Sequence, residues 1–231
     1  CSAVPDSVLH SGAKPIYSDI NFDDYGVSVR SVEQLVSPST KAIVVQHTFG
    51  IAAEIRPLMD VAQKNNLYLI EDACLATGVK SEHGYIGTFG HAAIFSFELS
   101  KTLSAGWGGM VQTDVAQLGK NLRTIKSELG ALSRGESIRR LLQSGFSYWL
   151  YHPRNISIGK YITALFFKVG LFRQSGSTEN PRIKLGNISL SYPSDITWRI
   201  VLDQLSSLES IVDHSSLVAS RYLDTLKKCN W

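Results

Sequence analysis

Two carboxylates, Glu71 and Asp72, directly follow Leu67–Ile70, a run of apolar residues that is typical of a buried strand. In open α/β sheets, ligands bind at the carboxyl ends of the strands, where a carboxylate can hold a cationic ring nitrogen. The alternative is a structural role, because an aspartate such as Asp72 can also cap the first turn of a helix. The pattern alone leaves both interpretations open.

A second group of polar residues follows a later apolar strand, Ala92–Phe97. Ser96, Ser100 and Lys101 come at its end, and the glycine-rich turn Gly106–Gly109 follows. Hydroxyl groups and a lysine suit a phosphate, and small residues allow the backbone to approach a ligand closely. A lysine in a partly desolvated pocket can also form a Schiff base, because desolvation favours the neutral amine. The alternative is a surface lysine that follows a strand and precedes a glycine turn.

Asp72 and Lys101 are 29 residues apart with one strand between them, so we expect both at the same edge of the sheet. A carboxylate for a pyridine nitrogen, a lysine for an aldehyde and a serine, Ser96, for a phosphate together fit pyridoxal 5'-phosphate. Each of these signals is weak alone, and their combination favours this cofactor.

Helical and strand-like segments alternate over the first 113 residues. Such alternation, with continuous apolar strands, predicts a layered α/β domain with a largely parallel sheet. The strand-like runs are Lys14–Ile20, Lys41–His47, Leu67–Ile70, Ala92–Phe97 and Met110–Thr113, and the helical ones are Ser2–His10, Val29–Val36 and Ile55–Asn66.

Helices dominate after residue 114, and the chain divides by character into three parts. We predict a cofactor-binding core at 1–133, a basic and aromatic helical insertion at 134–190, and helices at 191–231 that lead toward a further small domain. We also expect a fragment, because the chain begins with Cys1 and the start of the core is missing. The segments behind this division are helical runs at Val115–Leu132, Ser137–Tyr151 and Ser194–Lys228, and a polar loop at 174–187.

The composition is that of a soluble globular protein, with 44% hydrophobic and 19% charged residues among 231. No run reaches the ~18 apolar residues of a membrane-spanning helix. The three scattered cysteines lack disulfide and metal-ligand spacing, so we expect a reduced, cytoplasmic setting and no metal. Charge is uneven: residues 1–120 carry 8 Lys/Arg and 12 Asp/Glu, whereas residues 121–180 carry 9 and 3.

Several stretches resemble the DegT/DnrJ/StrS-type aminotransferases, which are fold-type-I pyridoxal-phosphate enzymes of amino-sugar biosynthesis. The resemblance is specific over residues 11–113 and looser from 194 onward, and residues 134–187 match no pattern of the family. It is carried by residues 11–20, 40–47 with Gly50, 69–74, 86–90, 95–97 with Lys101, 106–109, and 203–208 with Arg221 and Tyr222.

The resemblance implies a three-layer sandwich with a mostly parallel mixed sheet, and a role for each candidate residue. Lys101 would be the Schiff-base lysine that also shuttles the proton, Asp72 the partner of the pyridinium nitrogen, and Ser96 a phosphate contact. The implied reaction transfers an amino group, usually from glutamate, to a keto sugar carried on a nucleotide. Such enzymes serve cell-surface polysaccharide or secondary-metabolite synthesis, and they are homodimers whose sites combine residues of two chains.

Two residues depart from the family pattern near the predicted cofactor. Leu75 stands where the family has Gln or His, and Trp107 stands where it has an acidic residue. These changes keep two alternatives open: a pyridoxal-phosphate-dependent sugar dehydratase, or a non-catalytic, membrane-docked relative.

Residues 139–173 combine basic and aromatic side chains in a segment that the family pattern does not explain. This mixture suits a peripheral membrane contact at the inner membrane face, a channel for an anionic nucleotide-sugar, or a pair of packed helices with solvated cations. Nucleic-acid binding is not expected, because no matching motif accompanies the charge.

Overall fold

The computed structural model of the protein describes residues 3–172 and 191–229. Its strands are β1 (Ala42–Gln46), β2 (Tyr68–Asp72), β3 (Lys80–Ser81), β4 (Gly84–Tyr85), β5 (Ala92–Ser96), β6 (Gly109–Gln112), β7 (Gly130–Ala131) and β8 (Ser191–Tyr192). Its helices are α1 (Ala3–His10), α2 (Val29–Leu35), α3 (Ile55–Lys64), α4 (Ala116–Glu128), α5 (Arg134–Leu150), α6 (Ile156–Lys168), α7 (Asp195–Leu205) and α8 (Leu208–Lys228).

The central sheet has the strand order β1-β2-β5-β6 in the described part of the chain. β1, β2 and β5 are parallel, whereas β6 runs antiparallel to β5. The parallel strands are the continuous apolar runs of the sequence, as expected for strands buried between layers. The predicted α/β class and mostly parallel mixed sheet are therefore confirmed.

The apolar core lies against one face of this sheet. Val45 pairs with Glu71 and Glu71 with Ala93, and residues in register share a face because side chains alternate along a strand. Helix α3 covers the β1–β2 side of this face, with Leu58 fully buried. Helix α7 covers the β5 side, where the ring of Trp198 meets the edge of Phe97 at 5.8 Å between centroids.

The opposite face of the sheet carries the polar strand ends. Asp72 pairs with Ile94, and Ser96 follows two residues later on the same face as Ile94. These polar residues and the apolar core therefore lie on opposite faces of the sheet.

Two segments differ from the sequence-based expectation. Lys14–Ile20 is wrong as a strand: it makes only an isolated bridge between Ile20 and Val27. At its end, the Asp19 amide donates to Ser31 Oγ at 2.9 Å and the Asp19 carbonyl accepts from the Ser28 amide at 2.9 Å, so this backbone bonds to the start of α2 rather than to a strand. The predicted helix 194–228 is two helices, since residues 206–207 are not helical and separate α7 from α8.

A short parallel pair, β7 and β8, closes the base of the segment that contains α5 and α6. Gly130 pairs with Ser191, and Ala131 pairs with Tyr192. The segment therefore leaves the domain and rejoins it at neighbouring places. The loop predicted at 174–187 lies outside the described residues, and the boundaries at 133 and 190 stay predictions.

The fold generates a first prediction about Leu58. Leu58→Ala should lower the free energy of unfolding by about 3 kcal/mol, because it removes buried methyl groups and leaves a cavity under the sheet. Urea unfolding followed by circular dichroism measures this. Leu202→Ala, at a position 63% exposed on α7, is the matched control and should stay within about 0.5 kcal/mol of the parent. Equal losses in the two variants would contradict this account of the core.

Candidate active site

The two neighbouring carboxylates at the end of β2 face opposite sides of the sheet. Glu71 is fully buried on the core side, and Asp72 is 6% exposed on the other side. This follows from the alternation of side chains along a strand. The two carboxylates therefore have different surroundings and cannot share one role.

Glu71 is held by four N–H donors. Its Oε2 accepts from His47 Nε2 at 3.2 Å and from the Gly87 amide at 2.8 Å. Its Oε1 accepts from the amides of Phe89 and Gly90 at 2.8 and 2.6 Å. Burial alone would raise the pKa of Glu71, but these hydrogen bonds together lower it below its usual value. Glu71 is therefore an ionised structural anchor.

His47 is the buried donor in this arrangement. Its Nδ1 accepts from the Ala53 amide at 3.1 Å, so the ring proton sits on Nε2 and points to Glu71. The side chain has no exposed surface. His47 thus connects the end of β1 to the end of β2, and it does not face the side of Asp72.

Asp72 lies beside Cys74, and Lys101 lies within electrostatic reach of the same thiol. The Cys74 amide donates to Asp72 Oδ1 at 3.1 Å. Burial, followed by the neighbouring Asp72 carboxylate, raises the pKa of Cys74 to about 12, while the positive charge of Lys101 acts in the opposite direction. Asp72 and Lys101 therefore both act electrostatically on the Cys74 thiol at the carboxyl end of the sheet.

The turn that carries Lys101 is fixed at several points. Ser100 donates to Glu98 Oε2 from its amide at 3.0 Å and from Oγ at 2.6 Å, and the Lys101 amide donates to the Glu98 carbonyl at 3.0 Å. Phe97 and Leu103, on either side of the turn, are buried to 2% and 1% exposure. Glu98 therefore shapes the turn, while its flanking residues anchor it in the core.

Gln204 of α7 clamps the far side of the same loop. Its Oε1 accepts from the Ser104 amide at 3.0 Å, and its Nε2 donates to the Ser104 carbonyl at 2.7 Å. One side-chain amide thereby satisfies both backbone groups of a loop residue. Sequence reasoning found Gln204 only as a weak family match and missed this positioning role, because its partner is 100 residues away.

Trp107, in the glycine turn, packs against the basic segment. The guanidinium of Arg140 lies 4.6 Å from its ring centroid, which is a cation–π contact. Arg140 Nε also donates to Glu136 Oε1 at 3.0 Å. The hydrogen bond from Arg139, together with Arg140, lowers the pKa of Glu136 to about 2 against the effect of partial burial.

A small cleft of about 40 Å³ opens beside this turn. Asp72, Ser96 and Lys101 do not line it. Its lining is Ala105, Trp107, Gly108, Leu132, Ser137, Arg140, Leu141, Ser191, Pro193, Ser194 and Thr197. The other departure from the family pattern, Leu75, is 39% exposed and offers no hydrogen bond to a ligand.

The fold is found in solved aminotransferases. An aminotransferase of the DegT/DnrJ/EryC1/StrS type from Brucella abortus matches 99% of this chain and 51% of its own, with a TM-score of 0.65 and 23% identity. At that identity the likeness shows the fold alone. The aminotransferase from Psychrobacter cryohalolentis is 32% identical, with a TM-score of 0.54 over 55% of this chain and 32% of its own. The fold is thus that of an aminotransferase-type α/β domain.

The chain belongs to the DegT/DnrJ/EryC1/StrS aminotransferase family, whose sequence model matches residues 2–149. A UDP-N-acetyl-3-dehydro-alpha-D-glucosamine 3-aminotransferase from Acidithiobacillus ferrooxidans is 37% identical over 126 residues, covering 54% of this chain and 34% of that protein. A GDP-perosamine synthase from Escherichia coli O157:H7 is 37% identical over 108 residues, covering 47% and 30%. The chain thus spans about a third of the length of the curated relatives that it matches.

The neighbouring carboxylates generate a second prediction. Glu71→Gln should lower the free energy of unfolding by about 3 kcal/mol, because a glutamine NH2 group would face two N–H donors and leave them unpaired in the core. Asp72→Asn is the matched control on the same strand. It keeps an oxygen for the Cys74 amide, so it should cost less than about 1 kcal/mol. Urea unfolding at neutral pH measures both variants.

The pH dependence checks the same assignment. The folded pKa of Glu71 lies below its usual value of 4.5, so its ionised form stabilises the fold above that pH. This stabilisation is lost as pH falls through the folded pKa. The stability difference between the parent and Glu71→Gln should therefore shrink in acid. A difference that stays constant from neutral to acid pH would refute a charged anchor.

Proposed function

We propose that this chain is the cofactor-binding part of a pyridoxal-5'-phosphate-dependent aminotransferase that acts on nucleotide-linked keto sugars. The observation that carries the proposal is that Asp72 and Ser96 share one face at the ends of two neighbouring parallel strands, while the charge of Lys101 acts on the Cys74 thiol beside Asp72. The family membership and the nucleotide-sugar names of two relatives support it.

The residues at this place fit the cofactor by their chemistry. Asp72 is a buried carboxylate on the side away from Glu71, which suits a cationic ring nitrogen. Ser96 offers a hydroxyl for the phosphate. Among the described residues, no carboxylate lies in salt-bridge contact with Lys101, so its amine is available to bond to the cofactor.

Each of these residues then has a defined task. Pyridoxal phosphate, when bound, supplies an aldehyde for amino groups and a ring that withdraws electrons. Asp72 keeps a proton on the ring nitrogen by its negative charge. Lys101 would hold the cofactor and move a proton at its Nζ, while the Glu98 turn and the Gln204 clamp fix the backbone of the loop that carries it.

The proposed partners are a nucleotide-sugar, an amino donor and a second copy of the chain in a cytoplasmic homodimer. The family resemblance supports glutamate as the donor and the homodimer. One relative, from Streptomyces kanamyceticus, is named an L-glutamine:2-deoxy-scyllo-inosose aminotransferase. Glutamine is therefore the second amino donor to assay beside glutamate.

The third prediction concerns Lys101. Borohydride treatment of the intact protein with pyridoxal phosphate should fix the cofactor to Lys101, where peptide mass spectrometry locates it. Lys101→Ala should lose both this label and the absorbance of the bound cofactor, because no amine remains to bond to the aldehyde. Lys120→Ala, which removes an exposed lysine of α4, is the control and should keep both signals. A label spread over surface lysines, with none at Lys101, would end the proposal.

The fourth prediction separates amino transfer from dehydration, the alternative that Leu75 and Trp107 keep open. The intact, cofactor-loaded protein should release 2-oxoglutarate from glutamate, and a keto sugar nucleotide should gain the amino group in equal amount. Asp72→Asn should lower this rate by at least about 100-fold, because the ring nitrogen loses its charged partner. Loss of a sugar hydroxyl as water, without amination, would favour the dehydratase instead.

A further inference from the structure

The turn between α5 and α6 exposes a group of large aromatic and apolar side chains. We call residues 148–161 the hairpin tip. Tyr148 is 80% exposed, Trp149 56%, Ile158 68% and Tyr161 69%. Soluble proteins rarely expose so many large apolar groups in one short segment unless the segment binds something.

The charge of the hairpin has one sign. Residues 137–178 contain no Asp or Glu, whereas Arg154 and Lys160 of the tip are both exposed. Neither forms a salt bridge within residues 3–172 and 191–229. Lys160 Nζ lies 5.0 Å from the ring centroid of Tyr161, so a cation and an aromatic ring occupy the same patch.

The tip is held firmly by the inner sides of its two helices. Leu150 is 1% exposed, and Gly159 packs against its carbonyl group, where a larger residue would not fit. The rings of Phe146 and Phe166 meet at 5.7 Å between centroids and join the two helices. The exposed side chains are therefore presented by a packed hairpin whose base is closed by β7 and β8.

We propose that the hairpin tip docks in the interfacial layer of an anionic lipid membrane. Tyrosine and tryptophan rings prefer the depth of the lipid headgroups, and Lys and Arg side chains attract anionic lipids. Tyrosine, tryptophan and arginine are also common at protein–protein interfaces. A second copy of the tip would, however, bring like charges together, because residues 137–178 offer no carboxylate to pair with Arg154 and Lys160. The contact is peripheral, since no helix among the described residues is long and apolar enough to cross a membrane.

The test is flotation of the intact protein with lipid vesicles. Vesicles of phosphatidylcholine mixed with phosphatidylglycerol should carry the protein to the top of the gradient at low salt, and pure phosphatidylcholine vesicles should carry much less. Arg154→Gln combined with Lys160→Gln should weaken the partitioning about 30-fold, because each cation near an anionic surface contributes to binding. Added salt should weaken the binding of the parent, because it screens this attraction.

Two matched controls separate the tip from the general surface. Lys120→Gln with Arg123→Gln removes two exposed cations of α4 and should leave flotation unchanged. Tyr148→Ser with Tyr161→Ser should abolish flotation, whereas Tyr17→Ser with Tyr222→Ser, at positions 73% and 69% exposed, should not. Circular dichroism should show all four variants folded.

Three outcomes would overturn the proposal. The first is a parent protein that stays at the bottom of the gradient with both kinds of vesicle. The second is an equal loss of flotation in tip and control variants, which would indicate only non-specific charge attraction. The third is a fall in particle mass by light scattering in the tip variants, without lost flotation, which would make the tip a subunit contact. The test does not depend on cofactor or activity, so its failure would leave the proposed function standing.

Discussion

The carboxyl end of the sheet depends on the hydrogen bonds that the buried Glu71 carboxylate accepts. Burying a charge costs several kcal/mol unless hydrogen bonds replace the lost water. Here His47 comes from the end of β1, and the amides of Gly87, Phe89 and Gly90 come from the loop before β5. One anion thereby joins three separate segments at the level where β2 ends. The loop cannot move without leaving a buried anion unpaired, so the end of β2 has a fixed position.

This anchor determines the position of the proposed cofactor site through the geometry of a strand. Because adjacent side chains point to opposite faces, holding Glu71 in the core directs Asp72 to the other face. The parallel register then sets Asp72 opposite Ile94, and Ser96 follows on the same face. Lys101 is positioned by different means, since its loop is clamped by Gln204 and anchored by buried neighbours. The site therefore depends on sheet geometry for its aspartate and serine and on tertiary contacts for its lysine.

The sequence was sufficient to predict the sheet because buried parallel strands are continuous apolar runs that differ clearly from amphipathic helices. It also indicated Asp72, Ser96 and Lys101 as a group, since all three lie at or within a few residues of the end of such a run. Apart from the family resemblance, it could not assign different roles to Glu71 and Asp72, because alternation says that they differ but not which one faces the core. Lys14–Ile20 was wrong as a strand because strand composition does not supply a neighbouring strand, and Asp19 at its end bonds to the start of α2 instead. The contact of Gln204 with Ser104 could not be predicted, because nothing local in the sequence marks a contact between residues 100 positions apart.

Trp107, which departs from the family pattern, contacts Arg140 of the basic segment that the family pattern does not explain. Where the family has an acidic residue in the glycine turn, this chain has an aromatic ring that receives Arg140 from α5. The carboxylate partner of that arginine is instead Glu136, one turn earlier on the same helix. Because the pKa of Glu136 is lowered to about 2, the ion pair stays charged at all physiological pH values. Helix α5 is thereby attached to the glycine turn by a contact that neutral-pH changes do not release. The basic insertion is consequently packed, through helix α5, against the turn that follows the Lys101 loop.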